Sequence, residues 1–217
     1  MKKQYFIFTG LFFAAMIMVS SPLMAIGLGA YTTGSAASYS CTLYDDYDST
    51  FDLDVSQFGA GFVLDTAVAK DRVFNYRLNV ELTGLSAETE SGSAYDGFAF
   101  NVFNTFGFGI VRTEKVRFWL GPQIGFGYFY ADKPTDYGYY ETYTSSIEGA
   151  TVSVGPMAGI NINIGPVVSL CFDAGLRASF IFGGIDTYDD YYDFDGSGAE
   201  FVVHAGIIFR IHDKYTE

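Results

Sequence analysis

Among 217 residues there are only two cysteines, Cys41 and Cys171, two histidines, His204 and His212, and five prolines. So few histidines and cysteines leave little room for catalysis or metal binding. No Ser-His-Asp, Cys-His or H-E-x-x-H arrangement appears. The cysteines lie far apart in the chain and, in the topology read below, at different depths, so no disulfide is expected. Cys41 follows no lipobox. Base is scarce as well. Removing Lys2 and Lys3, which precede residue 26, leaves 10 basic residues against 25 acidic ones, a net charge of −15. Phosphate binding needs a basic surface, so nucleic acid is excluded as a partner. Beyond residue 25 there is also no run of the roughly 18 apolar residues that a spanning helix needs.

The N-terminus is ordered differently. Lys2 and Lys3 precede a charge-free apolar stretch, Tyr5 to Val19, then Ser20-Ser21-Pro22, then Leu23-Met24-Ala25. That order reads as a secretory signal peptide over 1–25, cleaved after Ala25. The apolar core is short for a membrane anchor, the competing reading. Residues 26–217 then form one domain. Aromatics make up 18% of the chain and glycine 25 residues. An exported, acidic, aromatic chain without a spanning helix must hide its apolar residues in some other arrangement.

Period-two alternation supplies it. From Phe74 to Thr83 every even position is apolar and every odd one polar, which a helix cannot produce. Ala150 to Ile164 and Glu200 to Ile211 repeat the pattern. Eight strands are expected at 26–34, 55–68, 73–84, 95–112, 116–131, 150–164, 167–182 and 200–211. Short turns (69–72, 113–115, 165–166) alternate with long connections (35–54, 85–94, 132–149, 183–199). An even strand count with that asymmetry describes a closed up-and-down antiparallel β-barrel crossing a membrane, with both termini on the short-turn side. The long connections are acidic, with Lys133 their only base. They are rich in tyrosine: Tyr39, Tyr44, Tyr47, Tyr137, Tyr139, Tyr140, Tyr143, Tyr188, Tyr191 and Tyr192.

The two faces differ in bulk. Glycine, asparagine and serine dominate one, and phenylalanine the other. The expected strands contain no lysine: Lys70, Lys115, Lys133 and Lys214 all fall in turns, loops or the tail. The bulky face therefore suits lipid and the small polar face a narrow lumen. Charged lumen positions balance, with Arg77, Arg117, Arg177 and Arg210 against Asp65, Glu81, Asp173 and Glu200, and His204 among them. A turn centred near residue 71 sets Asp65 opposite Arg77. A second hairpin sets Trp119 opposite Gly109, to lie across it. Such a lumen is a packed polar core rather than a wide pore.

On strand number, loop asymmetry and a last strand ending Phe209-Arg210-Ile211, the chain resembles the small eight-stranded outer-membrane proteins. These include the OmpA membrane domain, OmpX, OmpW and the opacity-type surface proteins. The resemblance implies a monomer in the outer membrane of a diderm bacterium, with a structural or adhesin-like role. Its long loops would meet an extracellular ligand, through Tyr44, Tyr47, Tyr139, Tyr140, Tyr188, Tyr191 and Tyr192. The alternative it implies is a narrow channel for small or hydrophobic solutes, as in OmpW-type proteins, where Phe103, Phe129 and Trp119 would line the lumen. No enzyme is expected. A deacylase-type site would pair His204 with a serine two residues on, where Gly206 stands. No cofactor or metal is expected either. Asp193-x-Asp195-Gly196 hints at a calcium loop, but the EF-hand ligand positions fall on Tyr191 and Val202.

Overall fold

A computed structural model describes residues 26–44, 48–66, 73–137, 141–187 and 190–211. The expected signal peptide therefore lies outside the described residues. Eight strands follow one another: β1 (Ile26–Tyr44), β2 (Ser49–Asp65), β3 (Phe74–Thr89), β4 (Ala94–Arg112), β5 (Val116–Tyr137), β6 (Glu141–Ile164), β7 (Val168–Asp186) and β8 (Tyr191–Ile211). Each pairs antiparallel with its neighbours, and β1 pairs with β8 to close the ring. No described helix is long and apolar enough to cross a membrane.

Two hairpin registers agree with the sequence reading. Asp65 faces Arg77 and Gly109 faces Trp119. The second hairpin carries a bulge between Gly109 and Val111, beyond which Arg112 faces Arg117. At the β6–β7 turn Gly165 adopts φ +85°, a left-handed conformation that a glycine enters without steric cost, and Pro166 follows it. Pro122 on β5 faces Pro156 on β6. A proline has no N–H to give a ladder. The β4–β5 pairing skips from Thr105–Gln123 to Phe108–Leu120, and the β6–β7 pairing from Val154–Ala178 to Met157–Gly175.

The principal correction concerns length. The strands run 16–24 residues, whereas about 9–11 tilted residues cross a bilayer. The segments 35–54, 85–94, 132–149 and 183–199, read from sequence as long acidic loops, are mostly strand. Lys133, expected in a loop, stands on β5. Along β2 the alternation never breaks phase. Asp52 and Asp54 are exposed and Leu53 and Val55 buried, while nearer the short turn Phe62 is exposed and Asp65 buried. What changes is which face is polar. That exchange imitates loop composition, because acid and glycine accumulate where the outward residues turn hydrophilic.

Candidate functional site: a two-zone lumen and its outer wall

The barrel divides into two zones. In the half that ends at the short turns, the outward residues are apolar and bulky, Phe62, Phe74, Leu82, Phe100, Phe108, Phe172 and Phe209 among them, and they are exposed. The buried inward residues there are mostly polar, with two small apolar clusters among them, Tyr31, Val63, Cys171 and Ile208, and Trp119, Met157 and Val202. In the other half the inward residues are apolar. Tyr39, Cys41, Leu53, Val55, Leu85, Ala87, Ala99, Phe129, Ala131, Ile147, Ile181 and Phe194 form one buried cluster. The outward residues beside them are Asp52, Asp54, Glu88, Asp96, Asp186, Asp193 and Asp195, all exposed, with Asp132 and Glu148 half-buried. The expectation of a polar lumen therefore holds for one half only. One side of the wall faces the barrel axis throughout, so the exchange reports a change in what lies outside. Apolar groups turn outward where the surroundings are apolar, and inward where they are water.

The polar zone is organised around two arginines. Arg77 donates through Nε and Nη2 to Asp65 at 3.1 and 2.8 Å, through Nη2 to Asn161 at 3.0 Å, and through Nη1 to Asp173. Its guanidinium lies 4.7 Å from the centre of the Trp119 ring. Arg177 donates to Gln123 at 2.7 Å, pairs with Glu200 at 3.4 Å and lies 3.7 Å above the Phe103 ring. Glu81 receives the Tyr31 hydroxyl at 2.9 Å and lies 3.0 Å from Nε2 of His204. Nδ1 of His204 lies 3.8 Å from Asp173. These connections draw on all eight strands, so sequence-distant charges neutralise one another in a closed space.

Two expected members also reach backbone near the short turns. Arg117 is buried and donates through Nη2 to Asn75 and to the Val73 carbonyl, each at 3.5 Å. Arg210 donates to the Gly165 carbonyl at the β6–β7 turn and is part of the rim rather than the network. Trp119 also lies elsewhere than expected. A Cβ added to Gly107 would stand 3.0 Å from its ring, and one at Gly159 would overlap it, whereas a Cβ at Gly109 would meet Arg112 and Arg117. The indole lies over Gly159, its facing residue on β6, and reaches diagonally to Gly107 on β4 instead of covering Gly109. Both cysteines are buried and free, Cys41 in the apolar zone and Cys171 in the polar one.

The tyrosines expected on loops scatter. Tyr39 is in the apolar core. Tyr44 stands on the outer wall, and its hydroxyl donates to Asp195 at 2.6 Å. That bond, with slight desolvation and the Asp195 charge, raises the phenol above its ordinary value. The ring of Tyr191 lies across Gly184, where an added Cβ would overlap it. Tyr192 donates to Asp190, two residues back, at 3.2 Å. Tyr47, Tyr139, Tyr140 and Tyr188 lie outside the described residues. The sequence reading missed the acidic wall and the apolar plug behind it. The signal for both was the unbroken period of two in Phe51-Asp52-Leu53-Asp54-Val55. Among the described residues, no group of three or more His, Cys, Asp or Glu side chains is placed to hold a metal.

A closed ring of eight antiparallel strands with an apolar outer belt defines the fold of the small outer-membrane β-barrels. No family model and no curated protein matches the chain. Among solved structures, the outer membrane protein OprG from Pseudomonas aeruginosa matches over 85% of this chain and 97% of its own, at 9% identity and a TM-score of 0.56. Neisserial surface protein A matches over 84% of this chain and 97% of its own, at 17% identity and a TM-score of 0.36. Ail, the attachment invasion locus protein of Yersinia pestis, matches over 84% and 99%, at 14% and 0.33.

Proposed function

We propose that this chain is a monomeric outer-membrane barrel, exported through residues 1–25 as a cleaved signal peptide. In this reading it has a sealed lumen and acts at the cell surface in a structural or adhesin-like role. The exchange of polarity along every strand supports this most. It gives the short-turn half a lipid-facing belt and lifts the other half into water as a soluble-type barrel with its own apolar core. The lifted wall carries Asp52, Asp54, Asp96, Asp193 and Asp195 and no described base facing outward. Its chemistry fits a cationic partner, by simple charge complementarity. The surface role thus moves from the loops, where the sequence placed it, to the wall.

Binding of a cationic peptide to the folded barrel in vesicles tests the role. Neutralising Asp52, Asp54, Asp193 and Asp195 to Asn should abolish salt-sensitive binding while leaving heat-modifiable gel mobility intact. Binding that survives neutralisation overturns it. One observation favours the alternative of a narrow channel for hydrophobic solutes: the facing pair Pro122–Pro156 leaves two ladders short of donors in the barrel wall. Uptake of an apolar dye into vesicles holding the barrel, lost in the Pro122→Ala, Pro156→Ala variant, would favour that reading.

A further inference from the structure

A groove of about 490 Å³ crosses the outside of the barrel over β1, β2 and β3. Leu28, Ala30 and Leu64 line it together with Phe62, and Leu78 and Val80 lie half-buried in it. Phe62 is 74% exposed and stands out as one rim, and Phe209 stands out as the other. The groove exists because small Ala30 on β1 is set between Phe62 of β2 and Ile207 of β8, its facing residues. Its size falls in the about 300–1,000 Å³ range of sites that hold small molecules. Its lining is apolar and offers no charge to a polar ligand.

Depth narrows the occupant. Every lining residue lies no more than about six residues from a strand end at the short turns, which at ~3.3 Å per residue and ~45° of tilt is about 14 Å. An outer-membrane belt stands about 25 Å tall. The groove therefore opens onto the hydrocarbon of the leaflet on the short-turn side, the periplasmic one. We propose that it seats one acyl chain of a periplasmic-leaflet phospholipid, held there more firmly than the surrounding bilayer lipid. A chain lying against a flat wall touches it on one side only. Here a chain meets the floor and both rims, and dispersion contacts add over all three. This rests on the membrane-barrel reading above.

The test uses the full-length protein extracted from its membrane in mild detergent. Native mass spectrometry reads retained lipid, with fragmentation to identify it. Ala30→Phe fills the groove from an outward, exposed position. Ala178→Phe, outward and exposed on β7, adds the same ring elsewhere. Heat-modifiable mobility establishes folding for each. The expected result is one phospholipid per barrel on the wild type and on Ala178→Phe, lost from Ala30→Phe. A wild type that retains no lipid, or retains lipid A from the outer leaflet, overturns the proposal. So does loss from Ala178→Phe as well, or retention by Ala30→Phe. Failure of all three to show barrel mobility would instead overturn the membrane reading.

Discussion

Arg77 is almost completely buried and touches Asp65, Asp173 and Asn161 at once, with its guanidinium over Trp119. Removing it takes the guanidinium away from two buried carboxylates. Arg77→Ala should therefore cost on the order of 3–5 kcal/mol in urea unfolding from lipid vesicles. A loss under about 1 kcal/mol, the scale of an exposed pair, would show that the network is wetter than its geometry implies. Leu78 sits on the opposite face of the same strand. Leu78→Arg should cost about 2–4 kcal/mol near the bilayer midplane, and an unchanged yield of folded barrel would refute the face assignment. The Asp65–Arg77 pairing was legible because a tight hairpin fixes register, and register fixes who faces whom. The Arg77–Asp173 contact was not, since those residues are brought together only when β2, β3 and β7 curl around one axis. Nor was the true seat of Trp119, because a strand has a facing residue on each side and the ring chose Gly159 of β6 over Gly109 of β4.

At the scale of an element, a strand here is two strands in series with opposite inside and outside. On β2, Leu53 is buried and Asp54 exposed. Leu53→Asp should destabilise the barrel by several kcal/mol, because it places an unpaired carboxylate in the apolar core. Asp54→Leu should stay within about 0.5 kcal/mol, as a surface change does. Comparing the two by chemical denaturation checks the zone assignment. If both cost the same, the upper lumen is not dry. The prolines belong to the same scale. Pro122→Ala together with Pro156→Ala returns two donors to the wall, and each restored bond should add about 0.5–1.5 kcal/mol. Hydrogen exchange near Phe106 and Leu176 should slow accordingly. Strands such as 74–83 could be read at once, because their outward face is apolar and their alternation strong. The continuations could not, because Gly, Asp, Ser and Tyr carry the composition of turns even when their phase is that of a strand.

Taken whole, the molecule is a ring stapled across its axis. Polar side chains connect opposite strands in one zone and a hydrophobic cluster fills the other. On the proposed reading these two fillings seal the lumen to ions. In planar bilayers the barrel should show no stepwise conductance, and regular steps at any voltage would contradict a filled lumen.

Several properties follow from the sequence by itself. The period of two, the even count of strands, the scarcity of base and the absence of a long apolar run past residue 25 all require an antiparallel, acidic barrel. Each is a local pattern or a composition, and neither depends on where the chain ends meet. Only the tertiary structure decided how tall the barrel stands and which half holds an apolar core. It also decided which arginine neutralises which acid. Alternation says that two faces differ, but burial on each face depends on the medium outside and on the strands across the axis. Those are settled when eight strands close into one ring.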